Sequence, residues 1–219
     1  MRMPRPIINE DEYGNYHLIS RIIDSSFYLT DEEKSTFEKT MLKLSRFSGI
    51  EILSFSVMSN HFHILVRVPP INGEIDEATL VSRYRVLYGS SKTDDLLKKW
   101  KDWAKKGMME EIVAEQNALR KRMHNISPFM KEVKQSFTKY YNKLHSRKGT
   151  LWEERFKSVI VENDELSLIA TAAYIDLNSV RAGIKDDPRK YKWSSIAHAY
   201  KGDERFQSSI AYIMQMDNK

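Results

Sequence analysis

Ile50–Val68, IEILSFSVMSNHFHILVRV, is the stretch that decides how this chain folds. Two apolar runs, Ile50–Met58 and His61–Val68, flank Ser59-Asn60, a pattern that predicts two antiparallel strands joined by a tight turn. Toward the N-terminus, Gly49 ends a segment that opens at Asp31-Glu32-Glu33 and sets Phe37, Met41, Leu44 and Phe47 on one helical face. Thr30 is its predicted N-cap, and Glu33 stands where a capping box needs a carboxylate. Tyr16–Ile23, YHLISRII, is rich in β-branched residues and reads as an earlier strand. Pro69-Pro70 closes the hairpin on its other side.

Beyond the prolines the pattern changes. From about residue 74 to 125 it is helical and highly charged, broken at Gly89 and Gly107, which predicts two or three helices inserted into the main unit. Ser127-Pro128 reads as the N-cap and first turn of a helix carrying Phe129, Val133, Phe137 and Tyr141 at four-residue spacing. Leu151–Val161 reads as a strand, and Asn163-Asp164-Glu165 opens a last long helix that Gly183 ends. The order β-α-β-β-α-β plus a further helix predicts an α+β, ferredoxin-like antiparallel sheet with helices packed on one face. The helical insertion and C-terminal helices complete one domain over residues 1–219.

Composition narrows the chemistry. The 219 residues include no cysteine, which excludes disulfides, thiolate metal sites and a cysteine nucleophile. No apolar run reaches the ~20 residues of a membrane span, and the first residues are charged, so a soluble, cytoplasmic protein is expected. The net charge is only +5, with a pI near 9.2, yet Lys and Arg cluster at Lys98–Lys106, Arg120–Arg122 and Lys131–Lys157. Trp100, Trp103, Phe137, Tyr140, Tyr141, Trp152 and Phe156 are interleaved with them. Basic side chains mixed with aromatic ones suit single-stranded nucleic acid; solvated helix faces would give the same composition.

Two constellations could carry a reaction. His61 and His63 alternate along a strand, so both imidazoles leave the same face while Phe62 goes to the other. Two imidazoles so placed can chelate a divalent metal. On the last helix, Leu166, Ile169, Ala170, Ala173, Leu177 and Val180 form the expected buried stripe. Thr171, Tyr174, Asn178 and Arg181 form a rim beside it. A phenol, an amide and a guanidinium on one rim suit phosphate chemistry, and they equally suit the hydrogen-bonded border of a core.

The segments MSNHFHILVRVP, KGTLWEERFKS and YIDLNSVRAG resemble the REP-associated tyrosine transposases, of the single-tyrosine HUH insertion-sequence superfamily. The resemblance implies a metal-dependent enzyme that nicks and rejoins single-stranded DNA at hairpin-associated sites through a 5′-phosphotyrosine. It implies Tyr174 as the nucleophile and His61, His63 and Asn178 as ligands of Mg²⁺ or Mn²⁺. Imidazole ligands alone would also suit zinc. Trp152, Arg155, Lys157 and Arg181 are the expected DNA contacts, with Trp152 as a stacking platform. A monomer or homodimer is expected. Ser179 stands where the family usually has proline, and Glu154 where it has glycine.

Three alternatives stay open at this point. Tyr140 and Tyr141 are rival nucleophiles, since His145 follows Tyr141 by one helical turn. A domesticated, non-catalytic nucleic-acid-binding protein would keep the basic surface without needing all four site residues. A metal-dependent phosphodiesterase would use water in place of a tyrosine. His17, His124 and His198 have no partner legible in sequence.

Overall fold

A computed structural model describes residues 12–23, 29–71 and 73–214. The charged stretch at the start of the sequence, up to residue 11, lies outside them. The chain runs β1 (Gly14–Arg21), α1 (Asp31–Ser48), β2 (Glu51–Val57) and β3 (His61–Val68). Helices α2 (Glu77–Tyr88), α3 (Ser90–Lys105) and α4 (Met109–Arg120) form the insertion. Then follow α5 (Ile126–Leu144), β4 (Lys157–Val161), α6 (Glu165–Asp176) and α7 (Asn178–Arg181). A 3₁₀ turn at Pro188–Lys190, α8 (Ser195–Tyr200) and α9 (Glu204–Met214) complete it.

The strands form one antiparallel sheet in the order β2-β3-β1-β4, the strand order of a ferredoxin-like fold. Helices α1 and α5 cover one face. There Leu18, Phe62, Ile64 and Val66 meet Phe37, Met41, Val133 and Phe137 in the main core. The aromatic rings of Phe37, Phe62, Phe137 and Trp152 pack on one another with centroids 4.6–6.2 Å apart. The expected cap of α1 is present in both directions. Glu33 donates its amide to Thr30 Oγ1 at 3.3 Å, and Thr30 donates its own to Glu33 Oε2 at 2.7 Å. Gly49 ends α1 with φ of 70°, a left-handed conformation that side chains rarely adopt.

Helix α6 packs on the opposite face, where Leu53, Leu65, Leu168, Ala172 and Ile175 make a second cluster. The edge of β2 is covered by the Tyr191–Ser195 segment. Val57 donates to Trp193 O, Tyr191 donates its hydroxyl to Val57 O, and Phe55 donates to Ser195 Oγ. That covering removes one exposed edge from the sheet. The insertion has its own core, Leu80, Leu96, Trp100, Ile112 and Leu119, which meets Phe47 of α1. Trp100, one of the aromatics in the basic run, is buried there and donates its indole N–H to Glu115.

Four local expectations need correction. The cap of α5 is Asn125, two residues before Ser127, because the Asn125 side chain accepts the Ser127 amide at 2.9 Å. Strand β4 starts at Lys157, since Leu151–Phe156 holds the polar Glu153-Glu154-Arg155 turn and only Trp152 bridges, to Ile22. The last helix is two pieces that break at Leu177. Its buried stripe is Leu168, Ala172 and Ile175, continued by Ser179, whereas Leu166 and Leu177 are 79% and 43% exposed. The segment LSLIATAAYIDL is apolar all round, so helical spacing fits more than one rotation about the axis.

Candidate active site on the sheet face under α6

Cross-strand partners share a face, so strand register lays out the site rung by rung. The first rung pairs Arg21 with His61. The second runs Lys157, Ile19, His63, Ser56 across all four strands. The third runs Val159, His17, Leu65, Ser54. All face α6, away from the aromatic core. Histidine and arginine occur here because this face is only partly roofed, while the other is sealed by two long helices.

Tyr174 stands on these rungs. Its ring meets His63 edge-on with centroids 5.6 Å apart, and His17 likewise at 5.9 Å. The Arg181 guanidinium lies over the Tyr174 ring, 4.9 Å from its centroid. Tyr174 is 41% exposed, so a ligand can reach it from solvent. The geometry therefore brings together His61, His63, Tyr174 and Arg181, with Lys157 one strand over from His63's neighbour Ile19.

His17, for which sequence offered no partner, bonds directly to the pair. Its Nε2 is 2.9 Å from His63 Nδ1 in a buried contact, and the rings of His61 and His63 have centroids 5.1 Å apart. His61 Nδ1 is 2.7 Å from Asn60 Oδ1. Both strand histidines thus have Nδ1 engaged, which fixes ring orientation; with the proton on Nδ1, Nε2 is left for a ligand. Burial pushes His61 down to about 4, helped by the Arg21 charge. Burial, then His17, His61 and Arg21, pushes His63 down to about 3. Neutral imidazoles with free lone pairs are what a metal requires.

Asn178 follows Tyr174 by one turn, just past the break at Leu177. Its Nδ2 donates to the carbonyls of Tyr174 and Ile175 at 3.1 and 3.4 Å, and Oδ1 takes part in neither bond. Among the described residues no cluster of three or more His, Cys, Asp or Glu could hold a metal ion. The strand supplies two neutral imidazoles, and the helix carries an amide one turn past Tyr174. These fit a divalent cation that draws its remaining ligands from phosphate and water.

The break in the last helix is braced from below. Asp176 Oδ1 accepts from the hydroxyls of Ser54 on β2 and Ser195 on α8, at 3.2 and 3.1 Å. Burial pushes its carboxyl up to about 6 against those two bonds. Asp176 is thereby a fixed point two residues from Tyr174, tying α6 to the sheet and to the C-terminal segment.

Other expected residues fall elsewhere. Trp152 is 6% exposed, packed on Phe37, Phe62 and Phe137, and donates its indole N–H to Thr138 Oγ1 at 2.9 Å. That corrects its reading as a stacking platform, because the ring is buried among core aromatics with the Lys134 ammonium 5.2 Å from its centroid. Arg155 is exposed on the α5 side of the sheet end. Tyr141 lies on α5 across the sheet from the histidine pair, stacked on His145 at 4.2 Å, and His145 pairs with buried Glu33. Tyr140 packs beside it against the main core. Neither rival tyrosine reaches the face that carries His61 and His63.

Residues 12–108 match the family model of IS200-like transposases, a span that holds His61 and His63 and ends before Tyr174. Among solved structures, the chain is similar to a REP-associated tyrosine transposase bound to a REP hairpin, at 15% identity and a TM-score of 0.56. That likeness covers 92% of this chain and 87% of the other. A candidate transposase from Deinococcus radiodurans R1 aligns at 14% identity and a TM-score of 0.37, over 80% of this chain and 96% of that one. No curated protein matches the chain. The sheet and its histidine strand are thus similar in sequence to IS200-like transposases, and nearly the whole chain shares the fold of the REP-associated structure.

Proposed function

We propose that the protein is a metal-dependent nickase and strand-transferase acting on single-stranded DNA beside a hairpin, with Tyr174 as its nucleophile. The observation that carries this reading is the meeting of Tyr174 with His63 and His17 on one open face, under the Arg181 guanidinium. A phosphate entering there would find a nucleophilic oxygen, two neutral imidazoles and fixed positive charge within one pocket.

Tyr174 Oη would attack phosphorus. The Oη–P bond forms, the P–O3′ bond breaks, the phenolic proton leaves and the departing 3′ oxygen takes one up. The products are a 5′-phosphotyrosine and a free 3′-OH, which can reverse the step on another strand without an energy cofactor. Mg²⁺ or Mn²⁺ would be held by His61, His63 and Asn178. Such a cation polarises phosphate and offsets developing charge. Arg181 and Lys157 would hold the phosphates on either side, and Asp176 would keep Tyr174 over the rungs. The hairpin partner is suggested by the structural relative, which was solved on a REP hairpin.

The reading is tested by incubating the protein with a labelled single-stranded hairpin DNA and Mn²⁺, then separating products under denaturing conditions. A covalent protein–DNA band is expected, absent without metal and reduced by at least about a hundredfold in His63→Ala, as for loss of a direct ligand. Cleavage without a covalent band would mean hydrolysis by water. Binding without cleavage would mean a non-catalytic DNA-binding protein.

A further inference from the structure

A groove of about 810 Å³ lies away from Tyr174, between α5 and the segment over residues 150–156. Its lining carries four cations, Lys131, Lys134, Lys139 and Arg155, against the single carboxylate of Glu154. Lys131, Gln135 and Lys139 recur at four-residue spacing, so they form one exposed stripe along α5. The floor is apolar, made by Phe156 and the reachable edge of Trp152. A second cleft, beside the start of β2, is lined by Arg46, Arg67 and Arg205, two of which are engaged. Arg67 there lies between Tyr13 and Tyr212 and pairs with Glu51, and Arg205 is held by Asp203.

The α5 groove is built before any ligand arrives. Lys134 donates to Glu154 O at 2.8 Å and Trp152 donates to Thr138 Oγ1, so the segment is latched to the helix. The groove also adjoins the active site. Glu153 donates its amide to Arg21 O, and Arg21 is the partner of His61. Lys157, two residues beyond Arg155, lies in the rung of His63. A cationic path thus leads from the Tyr174 pocket round the end of β1 to the groove.

We propose that this groove seats unpaired nucleotides of the DNA strand that flanks the cleaved phosphate. This deepens the nickase reading and rests on it for the identity of the ligand. Phosphates would run along Lys131, Lys139 and Arg155, and unpaired bases would lie over the apolar floor between the two walls, against the exposed edges of Phe156 and Trp152. Any base offers a π-face, which makes such a floor tolerant of sequence. The Gln135 amide, donor and acceptor together, would add a preference for particular base edges. Duplex DNA keeps its base faces stacked inside the helix and could use the rim only.

The test is fluorescence anisotropy with a short, mixed-sequence, fluorescein-labelled single strand and with the same sequence as duplex. Titrations use the Tyr174→Phe chain, so no covalent complex accumulates. Adding Lys131→Glu with Lys139→Glu should weaken single-strand binding at least about tenfold and reduce the salt slope by about 1.4, two contacts' worth. Arg155→Glu, exposed and on the other wall, should weaken it in the same direction. Duplex binding should change less. Unchanged single-strand affinity and slope, or an equal loss for duplex, would overturn the groove. A wild type that forms no covalent band yet shows these losses would overturn the nickase reading and leave the groove standing.

Discussion

The two faces of the one sheet are built for opposite ends. Under α1 and α5, β3 contributes Phe62, Ile64 and Val66, all buried, against rings and aliphatic chains that leave no room for water. Under α6 the same strand contributes His61, His63 and Arg67, and the roofing helix breaks at Leu177. A strand's alternation makes this possible, since stability and chemistry sit on successive residues without competing. The difference teaches where each kind of substitution should act: one face sets whether the chain folds, the other carries the proposed chemistry.

The largest effect that would break this division is on the sealed face. Phe37 is fully buried and touches Phe62, Phe137 and Trp152, so Phe37→Ala should cost about 3–5 kcal/mol of stability in urea unfolding. A cost under about 1 kcal/mol would mean that this face is not what holds the sheet. The open face predicts the reverse pattern. His17→Ala frees the ring of His63 and should weaken Mn²⁺ binding by about ten- to a hundredfold, read by titration calorimetry, while urea stability moves far less. Unchanged Mn²⁺ affinity would remove His17 from the site.

The smallest effect sharpens the comparison through pH. Glu33 is buried against His145 and Thr30, and although burial opposes it, those bonds hold its carboxyl below the usual 4.5. A depressed acid contributes stability that is present above its unfolded value and lost as pH falls through the folded one. Stability should therefore drop as pH is lowered below about 4.5, and Glu33→Gln should flatten that drop. An acid limb of the same depth in the variant would assign the loss to other groups.

Much of the sealed face was legible in the sequence, because its pattern is redundant. Thr30 and Glu33 mark where α1 begins, Gly49 marks its end, and alternation in HFHILVRV assigns both histidines to one face without any structure. The open face was legible only in part. His17 is 46 positions from His63, and its role depends on β1 pairing with β3, which the order of elements alone does not fix. The rotation of α6 was misread because its residues are apolar on every side, so burial was decided by the sheet and by the Asp176 brace. Trp152 was misplaced for a related reason: a tryptophan among arginines and glutamates has the composition of a surface and, here, the environment of a core. The groove beside α5 had no single motif to announce it, only lysines whose common face appears once the helix is drawn.

The central claim is that the nucleophile is the tyrosine over the histidine rungs. Its most direct test is to isolate the covalent protein–DNA complex formed in Mn²⁺, digest both components and locate the nucleotide-bearing residue by mass spectrometry. The account predicts the modification on Tyr174 alone, and no complex at all from Tyr174→Phe. A nucleotide on Tyr140 or Tyr141, or a complex that survives Tyr174→Phe, would move the chemistry to the other face of the sheet and contradict the account.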